Sequence, residues 1–299
     1  MMLVTAYANG TTAGSPPPKR DLYGGPRGNV VGWSPDAVRR HTKWLYSVDA
    51  AALDGVGFAV TLTVRDCPPT EEAWQRVRRA FLKRMDRVGM IRCHWVCEWQ
   101  RRKVPHLHLA LYFAPGQPVE ELIEAIFVAW LQCAREFRPS FRSQTVETIE
   151  TVGGWLRYLS KHASRGVAHY QRQGKPDGWE KTGRLWGHVG DWPTIAPMRF
   201  DMSSAAYHRY RRLVRAWRLA DARTGLARQI AHPARKAKDQ AKKLRAARGR
   251  IVSSRTMLAA SDPKLSAVRG VSEWAPEAVS TAFLALLVDD GHLIIQRSE

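Results

Sequence analysis

The chain has 299 residues, of which 44% are hydrophobic, enough for one large domain or for a domain with an appended segment. Its 47 Lys and Arg residues stand against 27 Asp and Glu residues, and this formal net charge of +20 favours a polyanionic partner, above all nucleic acid. No apolar run approaches the roughly 18 residues of a membrane span, no signal-peptide pattern is present, and four cysteines are too few for a disulfide framework. These properties predict a cytoplasmic protein without a membrane partner.

The first third of the chain begins with a glycine-rich stretch, which a helix and a strand follow. Residues 1–33 are rich in Gly, Pro and Ser and predict a mobile arm. Ser34 and Pro35 suit the cap and the first position of a basic helix that ends near Ser47. The β-rich run GFAVTLTV (57–64) predicts the first strand of a sheet.

Hydrophobic periodicity predicts five further elements up to residue 150. They are a helix from Thr70 to about Val88, strands over 90–99 and 105–113, a helix over 120–137 and a strand over 141–150. The order strand, helix, strand, strand, helix, strand is that of the split βαβ or ferredoxin-like fold. We therefore expect an α+β protein whose antiparallel sheet is flanked by helices, and a further helix over 153–165.

Two histidines alternate within the apolar strand of EWQRRKVPHLHLALYF (98–113). Successive strand residues point to opposite faces, so His106 and His108 share one face, about 7 Å apart. The strand before them ends in Glu98, which falls roughly opposite His106 if QRRKVP is the hairpin turn. The three side chains can then converge on one divalent ion. This mixed set of nitrogen and oxygen ligands suits Mn²⁺ or Mg²⁺, and zinc could also bind.

Cysteines also occur in this region, in the segment RCHWVCEW. Cys93 and Cys97 lie four residues apart, so a strand places both thiols on one face. No second Cys or His pair follows at the spacing of a zinc ribbon. We expect two small half-buried residues there and no zinc site.

The segment RYLSK (157–161) carries a tyrosine and a lysine three residues apart. On a helix, Tyr158 and Lys161 face the same way. A phenol beside an ammonium can attack phosphorus, because the lysine offsets the charge of the phosphate or favours the phenolate. Spacing alone, however, favours a tyrosine packed in an interface beside a surface lysine.

Three segments, in this order, resemble the motifs of the HUH superfamily of rolling-circle replication initiators from bacterial plasmids and filamentous phages. They are AVTLTV (59–64), PHLHLAL (105–111) and RYLSK (157–161). The later segment TGRLWGHVGDW (182–192) is similar to one that is common in such initiators. The resemblance covers about residues 34–217 and implies an HUH endonuclease domain there, with a flexible arm over 1–33 and a basic helical extension over 218–299.

The resemblance also implies an activity and a role for each motif residue. His106 and His108 would bind Mn²⁺ or Mg²⁺ with Glu98, and Tyr158, supported by Lys161, would be the nucleophile. The protein would nick single-stranded DNA at a replication origin, form a 5′-phosphotyrosine link and rejoin ends. A host helicase and a host DNA polymerase are the further partners expected.

One departure concerns a second tyrosine. Initiators of the two-tyrosine class carry another tyrosine four residues after the first, where this chain has His162. The chain thus resembles the single-tyrosine class. Tyr170, Tyr207 and Tyr210 are other candidate phenols.

Basic residues mark the expected nucleic-acid contacts. The arginines expected to contact DNA are Arg157, Arg165, Arg184, Arg211 and Arg212. Residues 221–250 hold ten Lys and Arg against two Asp, which suits contact with the DNA backbone or a solvated helix. A small amphipathic helix is expected over 272–288.

Two alternatives remain open. An HUH transposase or a relaxase shares the metal motif, although relaxases usually carry their tyrosine before the histidines. A non-catalytic nucleic-acid-binding protein of the RRM type shares the sheet order. Such a protein predicts exposed aromatic residues on the sheet, and 59–64 and 106–111 offer none at the corresponding positions.

Overall fold

The computed structural model describes residues 1–15, 28–149, 167–259 and 270–297. The chain divides into two compact units. Leu22–Ile195 form one, which we call the central unit, and Met1–Asp21 with Ala196–Glu299 form the other, which we call the terminal unit.

The described residues contain ten strands and six helices. The strands are β1 (Met2–Tyr7), β2 (Gly10–Gly14), β3 (Val56–Thr63), β4 (Met90–Trp99), β5 (Pro105–Phe113), β6 (Thr145–Thr148), β7 (Trp186–Gly190), β8 (Met198–Met202), β9 (Val271–Trp274) and β10 (Ile294–Gln296). The helices are α1 (Pro35–Ser47), α2 (Glu71–Arg87), α3 (Val119–Cys133), α4 (Ser204–Ala231), α5 (Ala237–Thr256) and α6 (Glu277–Asp289). None of these helices combines the length and the apolar character needed to cross a bilayer.

The central unit is built on an antiparallel sheet with the strand order β6-β3-β5-β4-β7. From β3 to β6 the elements follow the predicted order strand, helix, strand, strand, helix, strand. Alternation along β5 sends Leu107, Leu109 and Leu111 into a hydrophobic core with Trp74 of α2 and Trp130 of α3. The other face of β5 therefore carries His106 and His108.

Side-chain caps fix the predicted starts of two helices. Ser34 accepts a hydrogen bond from the amide of Ala37 at the start of α1, and Thr70 accepts one from the amide of Ala73 at the start of α2. The predicted strands 90–99 and 105–113 match β4 and β5.

Two elements are shorter than the sequence predicts. The helix expected to reach residue 137 ends at Cys133, and a 3₁₀ turn follows it before Arg138 adopts a left-handed conformation with φ 46°. The strand expected over 141–150 is confined to β6. The residue before β6, Gln144, turns its side-chain amide onto the backbone of Thr63, which sets where pairing with β3 begins.

The terminal unit contains a second antiparallel sheet, of order β10-β8-β1-β2-β9. Helices α4 and α6 pack on this sheet through a separate core. Its buried side chains include Val4, Phe200, Tyr207, Tyr210 and Leu287.

Three sequence-based expectations differ from the structure of the terminal unit. The mobile arm over 1–33 is replaced at its start by the β1–β2 hairpin, because β1 finds a distant partner in β8 (Val4 opposite Phe200). The C-terminal extension contains strands as well as helices, and the helix expected over 272–288 divides into β9 and α6. The boundary expected between 217 and 218 lies inside α4.

Candidate metal centre

Glu98, His106 and His108 meet on the helix-free face of β4 and β5. The hairpin register places Glu98 directly opposite His106, and His108 opposite Val96. The Nε2 atoms of the two histidines lie 2.7 Å apart, and His108 Nε2 lies 3.7 Å from Glu98 Oε2. One ligand atom from each residue falls within 4.8 Å of the other two. All three side chains are buried.

The chemistry of this group fits a divalent ion. Two imidazole nitrogens at 2.7 Å repel each other if both present lone pairs, so a proton or a cation must lie between them. The carboxylate of Glu98 supplies the negative charge that favours the cation. Among the described residues, this is the group of three or more His, Cys, Asp and Glu side chains whose ligand atoms converge.

A threonine on the neighbouring strand orients one of the histidines. Thr61 of β3 lies opposite His108 of β5, and its Oγ1 is 3.1 Å from His108 Nδ1. If Nδ1 carries the proton and donates it to Thr61, then Nε2 presents a lone pair to Glu98 and His106. This tautomer is the one that a metal ligand requires.

Sequence reasoning missed an arginine that is part of this centre. Arg172 Nε donates to Glu98 Oε1 over 3.0 Å, and neither side chain is exposed to solvent. The guanidinium carbon lies 4.0 Å from the centre of the Trp33 ring, and the Trp33 indole donates to the carbonyl of Cys97. Arg172 thus holds one carboxylate oxygen of Glu98 and leaves the other beside His108.

The residues next to Arg172 also contact the centre. The Trp99 amide donates to the carbonyl of Gln171 over 2.8 Å, and the Trp99 indole donates to the carbonyl of Gly174 over 3.1 Å. The side-chain amide of Gln171 lies 3.5 Å from His106 Nε2. No periodic pattern in the sequence marks this segment, and the separation of 74 residues between Glu98 and Arg172 hides the contact.

Cys93 and Cys97 lie on the opposite face of β4, inside the core of the central unit. The Trp74 indole donates to Cys97 Sγ over 3.3 Å. Burial raises the pKa of the Cys97 thiol to about 12 and raises that of Cys93 further. Both thiols are therefore protonated and packed, as two small core residues should be.

Several predicted site residues cannot be placed. The expected nucleophile Tyr158 and its partner Lys161 lie outside the described residues, as do Arg157 and Arg165.

The remaining predicted DNA contacts have different environments. Arg184 in the central unit and Arg212 on α4 are exposed. Arg211 is buried: its Nη1 is 3.2 Å from His208 Nδ1, and its guanidinium carbon is 5.4 Å from the Tyr207 ring.

The alternative phenols are equally distinct. Tyr207 and Tyr210 belong to the core of the terminal unit, and the Tyr210 hydroxyl lies 2.7 Å from Thr11 Oγ1. Tyr170 is exposed in the central unit.

Comparison with known proteins identifies the family. The family model for replication-associated proteins of the ORF2 and phage gene 2 protein type matches residues 57–166, which include β3, the metal hairpin and the segment with Tyr158. The chain is 43% identical over 98% of its length to a protein of Xylella fastidiosa (strain 9a5c) that is named as a replication protein, covering 99% of that relative. It is 40% identical over 96% of its length to a replication-associated protein of Pseudomonas phage Pf3, covering 95% of it. No solved structure matches at a significant level. The resemblance to rolling-circle replication proteins of plasmids and phages is thereby confirmed, and the chain belongs to this family of replication-associated proteins.

Proposed function

We propose that this protein is a replication initiator that nicks single-stranded DNA at an origin by metal-dependent tyrosine transesterification. The observation that carries the proposal is the convergence of Glu98, His106 and His108 on one face of the β4–β5 hairpin. A chain of net charge +20 is suited to a polyanionic substrate. Relatives named as replication proteins support an origin as the site of action.

The same proposal extends to the fold. Numbered within the central unit, the strands β6-β3-β5-β4 have the spatial order fourth, first, third, second, with β7 added at the edge. This order is expected of a ferredoxin-like, HUH-type sheet. We assign the nicking activity to the central unit, which contains most of the expected 34–217 domain.

In the proposed mechanism, the chain binds and orients the scissile phosphate near the triad. A bound Mn²⁺ or Mg²⁺ ion would stabilise negative charge on the phosphate oxygens. His106 and His108 would hold that ion with Glu98, while Thr61 and Arg172 fix the orientation of His108 and Glu98.

The covalent step is assigned to Tyr158. Its phenol oxygen forms a bond to phosphorus, the bond between phosphorus and the 3′ oxygen breaks, and that oxygen takes up a proton as the phenol loses one. Lys161 would favour the phenolate by its positive charge. The products are a 5′-phosphotyrosine and a free 3′-hydroxyl that a host DNA polymerase can extend. Because the phosphodiester energy is retained, the reverse step rejoins the ends.

A cytoplasmic location with a host helicase as partner would suit this activity, since the substrate strand must be exposed. The discriminating experiment is incubation with labelled single strands that tile the replicon encoding the chain. A covalent adduct should form with Mn²⁺, disappear with EDTA and be absent from the variants His106→Ala and His108→Ala.

A matched control comes from the same sheet. His188 is an exposed histidine of β7, on the strand next to β4 and outside the triad, so His188→Ala should retain the adduct. Binding of DNA without any adduct under all metal conditions would instead favour a non-catalytic nucleic-acid-binding protein.

A further inference from the structure

Tyr170 is held at the surface beside the metal centre. Gln171 contacts His106, and Arg172 contacts Glu98, so the two residues that follow Tyr170 are both fixed on the triad. The amide of Arg172 also donates to the carbonyl of His169 over 2.8 Å, which closes a turn around Tyr170. The backbone that carries this side chain is thus fixed on the centre, whereas the ring itself is not buried.

The exposure of the Tyr170 ring sets it apart from the other tyrosines. Its residue is 49% exposed, whereas the other tyrosines among the described residues are buried. The ring has neighbours that keep it upright: the His169 ring lies 4.7 Å away at 33°, and the Arg101 guanidinium lies 5.3 Å from the ring centre. An aromatic face left open to solvent and held by a cation is a platform on which a flat ligand can stack.

Arg101 adds a positive charge to this platform. It lies in the β4–β5 turn, whose other two basic residues have protein partners: Arg102 donates to the carbonyl of Arg65, and Lys103 forms a 3.0 Å ion pair with Asp177. None of the ion pairs between described residues includes Arg101, and it is exposed. Its charge is therefore available to a phosphate next to a base stacked on Tyr170.

We propose that Tyr170 and Arg101 form a subsite for one nucleotide of the single strand, with the base stacked on Tyr170 and a backbone phosphate held by Arg101. The proposal deepens the proposed function and rests on single-stranded DNA being the substrate of the adjacent triad. It gives the Tyr170 ring a binding role that requires the aromatic face and does not require the hydroxyl. The subsite would hold the strand at a fixed distance from the metal centre.

The first test is photochemical cross-linking on the full chain in Mg²⁺. An oligothymidylate of about 15 nucleotides, within the length that binding grooves for single strands cover, carries 5-iodouracil, which couples to a stacked aromatic ring on irradiation. We expect the coupled peptide to contain Tyr170. Tyr170→Ala should abolish this coupling, and coupling that persists elsewhere at full yield in that variant would overturn the proposal.

The second test separates stacking from general loss of structure. Tyr170→Ala should weaken binding of the oligothymidylate by about 5- to 100-fold, as expected for one stacked base, whereas Tyr170→Phe should bind normally. For an abasic sugar–phosphate polymer of equal length, all three proteins should bind alike. Equal weakening for both polymers, or a Phe variant as weak as the Ala variant, would contradict a stacking role.

The matched control is Phe141, another exposed aromatic residue of the central unit (59%), which packs on Phe127 of α3. Phe141→Ala should change neither coupling nor affinity. Because these measurements need no nicking, they also separate the two proposals. A protein that never forms an adduct but couples at Tyr170 retains the subsite and loses the proposed mechanism.

Discussion

Arg172 and Glu98 form a fully buried ion pair of 3.0 Å at the edge of the metal centre, and Trp33 covers the far side of the arginine. A buried charge pair gains little net free energy, but loss of one partner leaves the other charge buried and uncompensated. The pair therefore links the stability of the central unit to the charge state of the candidate metal site.

This link predicts opposite effects of Arg172→Gln on the metal-free and metal-bound protein. Without metal, the free energy of unfolding should fall by about 3–5 kcal/mol, because Glu98 loses its buried partner. With Mn²⁺ added, the stabilisation by metal should exceed that of the wild type, because a cation then offsets the full charge of Glu98. Urea unfolding with and without Mn²⁺ measures both.

An exposed arginine pair provides the control. Arg138 forms a two-point ion pair with Asp66 at the surface of the same unit. Arg138→Gln should cost at most about 1 kcal/mol and should leave stabilisation by metal unchanged. If Arg172→Gln reduced the stabilisation by metal, Arg172 would be supporting the ligand geometry more than it compensates charge.

A second prediction concerns the threonine that contacts His108. Thr61→Val keeps the shape and the β-branched character of the side chain but removes the hydroxyl that fixes Nδ1. Metal affinity measured by calorimetry should fall about 10- to 100-fold, the usual effect of losing such an outer contact. Thr145→Val, at the exposed position paired with Thr61 on β6, should retain the wild-type affinity.

The contrast between these contacts and the predicted triad shows what local sequence can specify. Glu98, His106 and His108 could be placed together because strand alternation and one short turn determine their register. Arg172 could not, since its contact joins segments 74 residues apart and leaves no period in the sequence. The β1–β2 hairpin was missed for the same reason: its partner β8 lies almost 200 residues later, and the glycine-rich composition of 1–33 favoured an arm.

A third prediction tests the interpretation of the two central cysteines. At pH 8 a thiol with a pKa of about 12 is almost wholly protonated, and the thiolate is the reactive form, so Cys97 should react with a disulfide reagent only after unfolding. Cys67 is exposed and should react first in the native protein. Rapid native labelling of Cys93 or Cys97, mapped by peptide mass spectrometry, would contradict their placement in the core.

A fourth prediction assigns part of the DNA affinity to α5. Lys242, Lys243 and Arg245 are exposed on this helix. Replacing all three by Gln should lower the slope of log affinity against log salt by about 2 for a non-cognate single strand, at about 0.7 for each lost phosphate contact. Metal affinity should be unchanged. Truncation after residue 220 is a poorer test, because it would cut α4 and remove β9, α6 and β10 from the terminal unit.

The control for this charge removal lies on α2 of the central unit. Arg79, Lys83 and Arg87 are also exposed, and their helix packs on the face of the sheet opposite the triad. Their replacement by Gln removes the same charge and should leave the salt slope nearly unchanged. Equal changes in the two triple variants would mean that net charge alone sets the affinity and that α5 has no special part.

The last prediction concerns the nucleophile. Tyr158→Phe retains the ring but removes the oxygen that would attack phosphorus, so DNA binding and metal affinity should persist while the covalent adduct disappears. Lys161→Ala should slow adduct formation without abolishing it, because a bound ion would supply most of the charge stabilisation. Mass spectrometry of the trapped adduct decides the assignment. A nucleotide on Tyr158 is expected; one on Tyr170 would make that ring a nucleophile and contradict its stacking role, and one on Tyr207 or Tyr210 would require phenols that are buried in the terminal unit to reach a phosphate.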